Sequence, residues 1–169
     1  MMIPVMREEV EARGASYGYR LIERVELSTL PADFKEAGFT GATLLLRALH
    51  SADATPFAYE ERLINLKALP EAARANFEKV SPGTWLMEQA PWTEASHNIK
   101  AVNARGDVAR RLGIAKGAAC LRVERIVRRA RENISMVRQY YPGDVYQISA
   151  KFTAQVRADT ARPVRMAPD

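Results

Sequence analysis

Apolar residues in this chain recur in short alternating runs, punctuated by clusters of Gly, Pro, Ser and Asp, more than in long stripes of helical period. Residues 42–65, ATLLLRALHSADATPFAYEERLIN, organise the rest. Two apolar-rich arms flank a polar break of turn formers, residues 51–56, which predicts a β-hairpin. Side chains alternate faces along a strand. With the loop centred on Asp53, Ala48 lies opposite Ala58, and His50, Glu60 and Arg62 share a face with the two alanines between them. Large polar groups around small residues make a floor for a small polar ligand. A slip of one residue would reverse the faces. The ordinary alternative is a surface Glu–Arg pair worth little, beside a histidine exposed at the hairpin mouth.

The remaining pattern alternates strands with short helices. Residues 3–13 read as a helix, with Pro4 in the first turn and Gly14 at the C-terminal stop. Residues 17–28 read as a long strand, and residues 31–38 as a short helical segment opened by Pro31 and closed by Gly38. Residues 69–80 predict a helix, with Pro70 in its first turn and Ala72, Ala73 and Ala75 inside. Ser81 or Thr84 caps a second helix through Gln89, which Pro91 ends. Residues 92–102 form a strand with His97, Ile99 and Ala101 on one face. Asp107 is the expected N-cap of a short helix stopped by Gly113. Residues 118–130 and 133–141 pair as a second hairpin, with Ser135, Val137, Gln139 and Tyr141 on one face. Pro142-Gly143-Asp144 turns the chain, and residues 145–155 are expected to make a last strand. Residues 157–169 lack apolar periodicity and are expected to be a disordered tail. About six strands in hairpin-rich order imply an α+β fold: one mainly antiparallel sheet with flanking helices, covered on one side, in a single domain over residues 1–156.

Composition narrows the function. The 169 residues, 47% hydrophobic and 27% charged, suit one folded domain with a real core. No apolar run approaches the roughly 20 residues of a membrane span, and the opening stretch lacks a signal-peptide core. Cys120 is alone, which leaves no internal disulfide or cysteine metal cluster, and a cytoplasmic protein fits best. A net charge of +5 permits nucleic-acid binding without showing it. The densest basic run, Arg122, Arg125, Arg128, Arg129 and Arg131, reads as solvated hairpin edges. There is no zinc-finger spacing, aromatic RNA-binding motif or helix-turn-helix. Dinucleotide and P-loop glycine motifs are absent, as are GxSxG and HExxH. Binding is favoured over catalysis, with no cofactor and no metal.

Four segments together carry a resemblance: LHSADATPFAYEERLIN, APWTEASHNIKAV, DVARRLGIAKGAACLRVER and ISMVRQYYPGDVY. The chain resembles the UTRA effector-binding domain of GntR-superfamily transcription regulators, and within it the histidine-utilisation repressor branch, HutC. The hairpin elements are His50, Pro56, Glu60 and Arg62; a Glu-x-x-His-x-Ile element is matched by Glu94, His97 and Ile99; and YPGD-x-Y is matched by Tyr141 to Tyr146. The match runs through most of residues 8–153. After Arg125 the sequence IVRRAREN departs from the aromatic-containing pattern of the branch.

The resemblance implies a chorismate-lyase-like fold, a homodimer, and a small-molecule effector that changes how an attached winged-helix domain grips operator DNA. That domain is expected to lie outside these residues, so operator DNA would be a partner only through it. The branch implies urocanate as the usual effector. The family's pocket positions fall on His50, Glu60 and Arg62; on Ser81 and Thr84; and on Ser135 and Tyr141. Arg62 offers a planar fork for a carboxylate, Glu60 an acceptor for an imidazole N–H, and Tyr141 a ring and a hydroxyl. His97 is the weaker candidate, read as a packed or dimer-interface histidine. The alternatives are a site for a sugar phosphate or another acid, which would need several cationic donors, and an enzyme on the same fold.

Overall fold

The computed structural model describes residues 5–153. Its elements, in order, are α1 (Met6–Glu11), β1 (Tyr17–Leu27), β2 (Thr43–Ala52), β3 (Thr55–Asn65), α2 (Pro82–Gln89), β4 (Glu94–Asn103), α3 (Gly106–Leu112), β5 (Ala119–Arg129) and β6 (Glu132–Pro142), with short 3-10 segments at Ala32–Ala37 and Pro70–Arg74. The six strands form one sheet in the order β1-β2-β3-β6-β5-β4, every pair antiparallel. This is the expected α+β fold.

The organising hairpin is tighter than its sequence suggests. Only Asp53 and Ala54 lie between the strands, both at positive φ, 49° and 64°. A two-residue turn with both central residues left-handed matches strand twist, but neither residue here is the usual glycine. Asp53 offsets the strain through two bonds to the start of β1: Asp53 N–H donates to the Ser16 carbonyl at 2.9 Å, and Ser16 N–H to Asp53 Oδ1 at 2.7 Å. The register therefore sets Ala48 against Glu60 and His50 against Ala58, two residues from the expected pairing. A shift of two preserves face parity, so His50, Glu60 and Arg62 do share a face.

The sheet is covered on both sides, not one. α1, α2 and the Pro70–Arg74 segment lie over the face that carries Glu60. Two apolar clusters form there, one around Leu44, Ile64, Phe77 and Leu86, the other around Met6, Val10, Phe57 and Tyr141. On the opposite face, α3 packs near Tyr59 and Tyr140, and Phe34 and Phe39 pack on Leu45, Leu63 and Met136. β3 and β6 sit at the centre and are buried along most of their length.

Three further expectations are corrected. Residues 69–80 are not a helix: the 3-10 segment stops at Arg74, Ala75 is extended, and the Asn76 side chain accepts from Glu78 N–H at 3.1 Å. A local side-chain turn of this kind competes with helix propagation. Asp107 is not an N-cap; Arg105 holds that position without a side-chain cap bond, and Asp107 sits in the first turn. Residues 145–153 form no strand: the chain turns at Pro142, whose carbonyl accepts from Val145 and Tyr146 N–H, and then runs irregularly. The expected tail, 157–169, lies outside the described residues.

Candidate functional site

The site is a polar island between the two apolar clusters of one sheet face. β3 supplies Glu60 and Arg62, β2 supplies His50, β6 supplies Gln139 and Ser135, and β5 supplies Arg125. All are buried, with exposures between 0% and 6%. Register explains the convergence: Glu60 pairs with Gln139, Arg62 with Val137, and Val137 in turn with Arg125. The island opens into a small cavity of about 40 Å³, roofed by Ser81, Gly83, Thr84, Leu86, Met87 and Trp92, with Val5 and Met6 at one side.

Glu60 is the hub. Arg62 Nε donates to Oε1 at 2.8 Å, Gln139 Nε2 donates to Oε2 at 2.8 Å, and His50 Nε2 lies 3.3 Å from Oε2. Burial alone would raise this carboxyl; Arg62 and His50 outweigh it and hold Glu60 well below the usual carboxylate range. The Tyr17 hydroxyl lies 2.8 Å from His50 Nδ1. Nε2 makes no hydrogen bond of good geometry, but its 3.3 Å approach to the Glu60 carboxylate favours the tautomer with the proton on Nε2 and Nδ1 as the acceptor. Burial, then the Glu60 charge, pushes the Tyr17 phenol up to about 12, so it remains a donor.

The expected residues separate into two groups. His50, Glu60, Arg62, Ser81 and Thr84 all line the cavity. Ser81 caps α2, accepting from Thr84 N–H, and the two hydroxyls lie 2.9 Å apart at the roof. Ser135 lies beneath, accepting from Arg62 Nη1 at 3.3 Å. Tyr141 is set back in the neighbouring apolar cluster. Its ring stacks on Tyr146 with centroids 4.1 Å apart, and its hydroxyl reaches the island through Gln139 Oε1 at 3.3 Å. His97 is exposed on the edge strand β4, with Nδ1 3.4 Å from Arg125 Nη2. Burial and the Arg125 charge lower its pKa, so it is an acceptor at neutral pH.

Arg125, Gln139 and Tyr17 are the residues that sequence reasoning left out of the site. Arg125 lies on an interior strand and is 6% exposed, not on a solvated edge. Its one available signal was alternation: it shares a strand face with Val123 and Val127, both buried. No group of His, Cys, Asp and Glu able to hold a metal occurs among the described residues.

The architecture is thus an α+β domain whose antiparallel sheet carries a polar cavity under a short capped helix. The UTRA domain family model matches residues 12–147, and the chain belongs to that family. It is 25% identical to the histidine utilization repressor of Pseudomonas putida over 151 residues, 86% of this chain and 60% of that protein. With its counterpart from Pseudomonas aeruginosa the identity is 24% over 152 residues. The chain thus spans about 60% of the length of these curated relatives. Its fold resembles the C-terminal domain of the histidine utilization repressor from Pseudomonas syringae pv. tomato, with TM-score 0.74 at 21% identity over 82% of this chain and 99% of that one. It also resembles the effector domain of PhnF from Mycobacterium smegmatis, with TM-score 0.77 at 17% identity over 91% and 98%. No helix among the described residues is long and apolar enough to cross a membrane.

Proposed function

We propose that this chain is the effector-sensing and dimer-forming domain of a GntR-superfamily repressor of the histidine-utilisation type. Its cavity takes a small acid, urocanate first, and occupancy sets how a winged-helix domain of the complete regulator holds its operator in the cytoplasm. The observation that carries this reading is the buried island of His50, Glu60, Arg62 and Gln139 beside Arg125, facing a cavity inside an otherwise apolar face. Buried polar clusters cost stability relative to apolar packing, and a ligand that needs them is the reason to keep one. The resemblance to the histidine-utilisation branch suggests urocanate as that acid. A carboxylate on an imidazole ring needs a cationic donor at one end and hydrogen-bond partners at the other, and Arg62, Arg125, Glu60 and the Ser81–Thr84 hydroxyls offer both. The helix roof and the donor set support binding as the cavity's role.

A second reading, a sugar phosphate or another acid, draws support from one observation: two guanidiniums line the cavity, where the sequence suggested one. A single experiment separates them. Thermal melts with urocanate, histidine, imidazole propionate and sugar phosphates should show a rise of about 5–10 °C for the effector at a hundred times its Kd, equivalent to roughly 2.7 kcal/mol. A shift with sugar phosphates alone would replace urocanate, and no shift at millimolar concentration with any of them would remove the sensor reading. The dimer is supported by β4, an exposed ten-residue edge strand carrying Ile99 at 41% exposure. Sedimentation at tens of micromolar should give twice the chain mass.

A further inference from the structure

We propose that Arg125, and not Arg62, is the residue that takes the anionic group of the effector, with His97 as its positioning residue. This rests on the reading of the cavity as the effector site.

The two guanidiniums differ in what already satisfies them. Arg62 is compensated: Nε is bonded to Glu60 at 2.8 Å, and Nη1 donates to Ser135 Oγ at 3.3 Å. To take a ligand carboxylate, Arg62 would have to divide its charge between the ligand and Glu60. Arg125 has no carboxylate within 4 Å among the described residues. Its Nε is buried without a hydrogen-bond partner there, and its one side-chain hydrogen bond among the described residues is the 3.4 Å contact of Nη2 with His97 Nδ1. It lines the cavity together with Arg62.

A guanidinium cannot shed its proton to escape burial. Burial, then the like charge of Arg62, disfavours the charged form of Arg125. An anion arriving in the cavity removes that penalty at Arg125 and gains a bond at the free Nε. The same anion at Arg62 would weaken an existing pair. His97, opposite Arg125 across the β4–β5 register, accepts from Nη2 and so fixes one side of the planar group, while Nε stays without a partner.

The test uses this chain with Arg125→Gln, Arg62→Gln and His97→Ala, and two probes, urocanate and its neutral methyl ester, titrated by calorimetry. Arg125→Gln should lose about tenfold to a hundredfold in urocanate affinity, the range for one hydrogen bond to a charged group, with ester binding unchanged. His97→Ala should lose less, and His97→Gln, which restores an acceptor, should recover part of it. Loss of the acid-over-ester preference in Arg62→Gln but not in Arg125→Gln would overturn the assignment. A second readout needs no effector. In low-salt buffer, Arg125→Gln should melt at or above the parent temperature because it deletes an uncompensated buried charge, and sodium acetate should stabilise the parent more than the variant at equal ionic strength. A clear drop in melting temperature for Arg125→Gln, with no difference in acetate response, would show a structural arginine and overturn the proposal even if urocanate binds nowhere. If urocanate fails to bind the parent while the acetate difference holds, the urocanate reading falls and the anion site stands.

Discussion

Arg125 and Arg138 stand on neighbouring strands, each 6% exposed, on opposite faces of the sheet. Arg138 is saturated. It meets Glu124 at 2.8 Å, Glu36 at 3.3 Å and Asp33 at 3.7 Å, donates to the Asp33 carbonyl at 2.6 Å, and lies 4.2 Å over the Phe34 ring. Arg125 has one ring nitrogen at 3.4 Å and an idle Nε. Equal burial thus accompanies opposite electrostatic accounts. The Arg138 face spends its charges on itself, tying the Ala32–Ala37 segment to β5 and β6. The face that carries Glu60 surrounds a cavity and leaves Arg125 without an ion pair within 4 Å among the described residues. A buried charge left without an ion-pair partner beside a cavity is a stronger mark of a binding site than one saturated within the protein.

The largest expected effect is on the pair that makes this cavity tolerable. Glu60→Ala leaves Arg62, 4% exposed, without its counter-ion and beside the like charge of Arg125. Removing one partner of a buried pair costs about 3–5 kcal/mol, which lowers the melting temperature by about 6–20 °C for a domain of this size. Added acetate should recover part of the loss, because Arg62 becomes a second anion acceptor. A variant as stable as the parent would mean that Glu60 is no hub.

The counterpart on the other face should cost less. Arg138→Met keeps the apolar contact with Phe34 and removes the bonds to Glu124, Glu36 and Asp33. Glu36 and Asp33 are more than half exposed, so water takes them over, and the loss is mainly the Glu124 pair. About 1.5–3 kcal/mol is expected from chemical denaturation, with urocanate affinity unchanged. Altered ligand affinity here would dissolve the distinction between the faces.

The pH dependence sharpens the same distinction. Glu60 is held below its unfolded value of 4.5, with burial opposing and Arg62 and His50 prevailing. Its contribution is therefore present above that value and is lost as pH falls from there toward the folded value, because the unfolded chain takes up the proton first. Glu9, raised mainly by burial, has the opposite sign: its contribution is lost as pH rises through its folded value. Melts between pH 6 and 3 should therefore fall less steeply for Glu60→Gln than for the parent. Equal slopes would assign the acid limb to other carboxylates.

The pocket residues of the hairpin were legible because strand parity survives an error of two residues in register, and the Asp53 turn made an error of that size. The α2 cap was legible because Ser81 and Thr84 are a local signal. The roles of Arg125 and Gln139 were not, since each depends on which strands are neighbours: β6 lies between β3 and β5, so residues more than sixty positions apart meet Glu60 and Arg62. The helix expected at residues 69–80 failed for a different reason. Its alanines favour helix, but Leu69, Ala72 and Phe77 are all buried against the sheet, and the Asn76 turn lets the chain place them there. The second covered face was missed because a strand buried on both sides shows no alternation.

The smallest expected effect concerns Tyr17, which reaches the island from the edge strand β1 through His50. Tyr17→Phe deletes one hydroxyl and keeps the ring 5.9 Å from the imidazole and beneath the Arg7 guanidinium. The loss is one hydrogen bond, about 0.5–1.5 kcal/mol of stability. Its distinctive consequence is at His50 Nδ1, which loses its phenol donor while Nε2 still lies 3.3 Å from Glu60 Oε2. The nitrogen resonance of His50 Nδ1 should therefore shift in Tyr17→Phe at constant pH, while the ring resonances of His97, whose neighbour is Arg125, should not. An unchanged Nδ1 resonance would mean that the hydroxyl does not donate to Nδ1, and the tautomer assigned to the ring would have to be reversed.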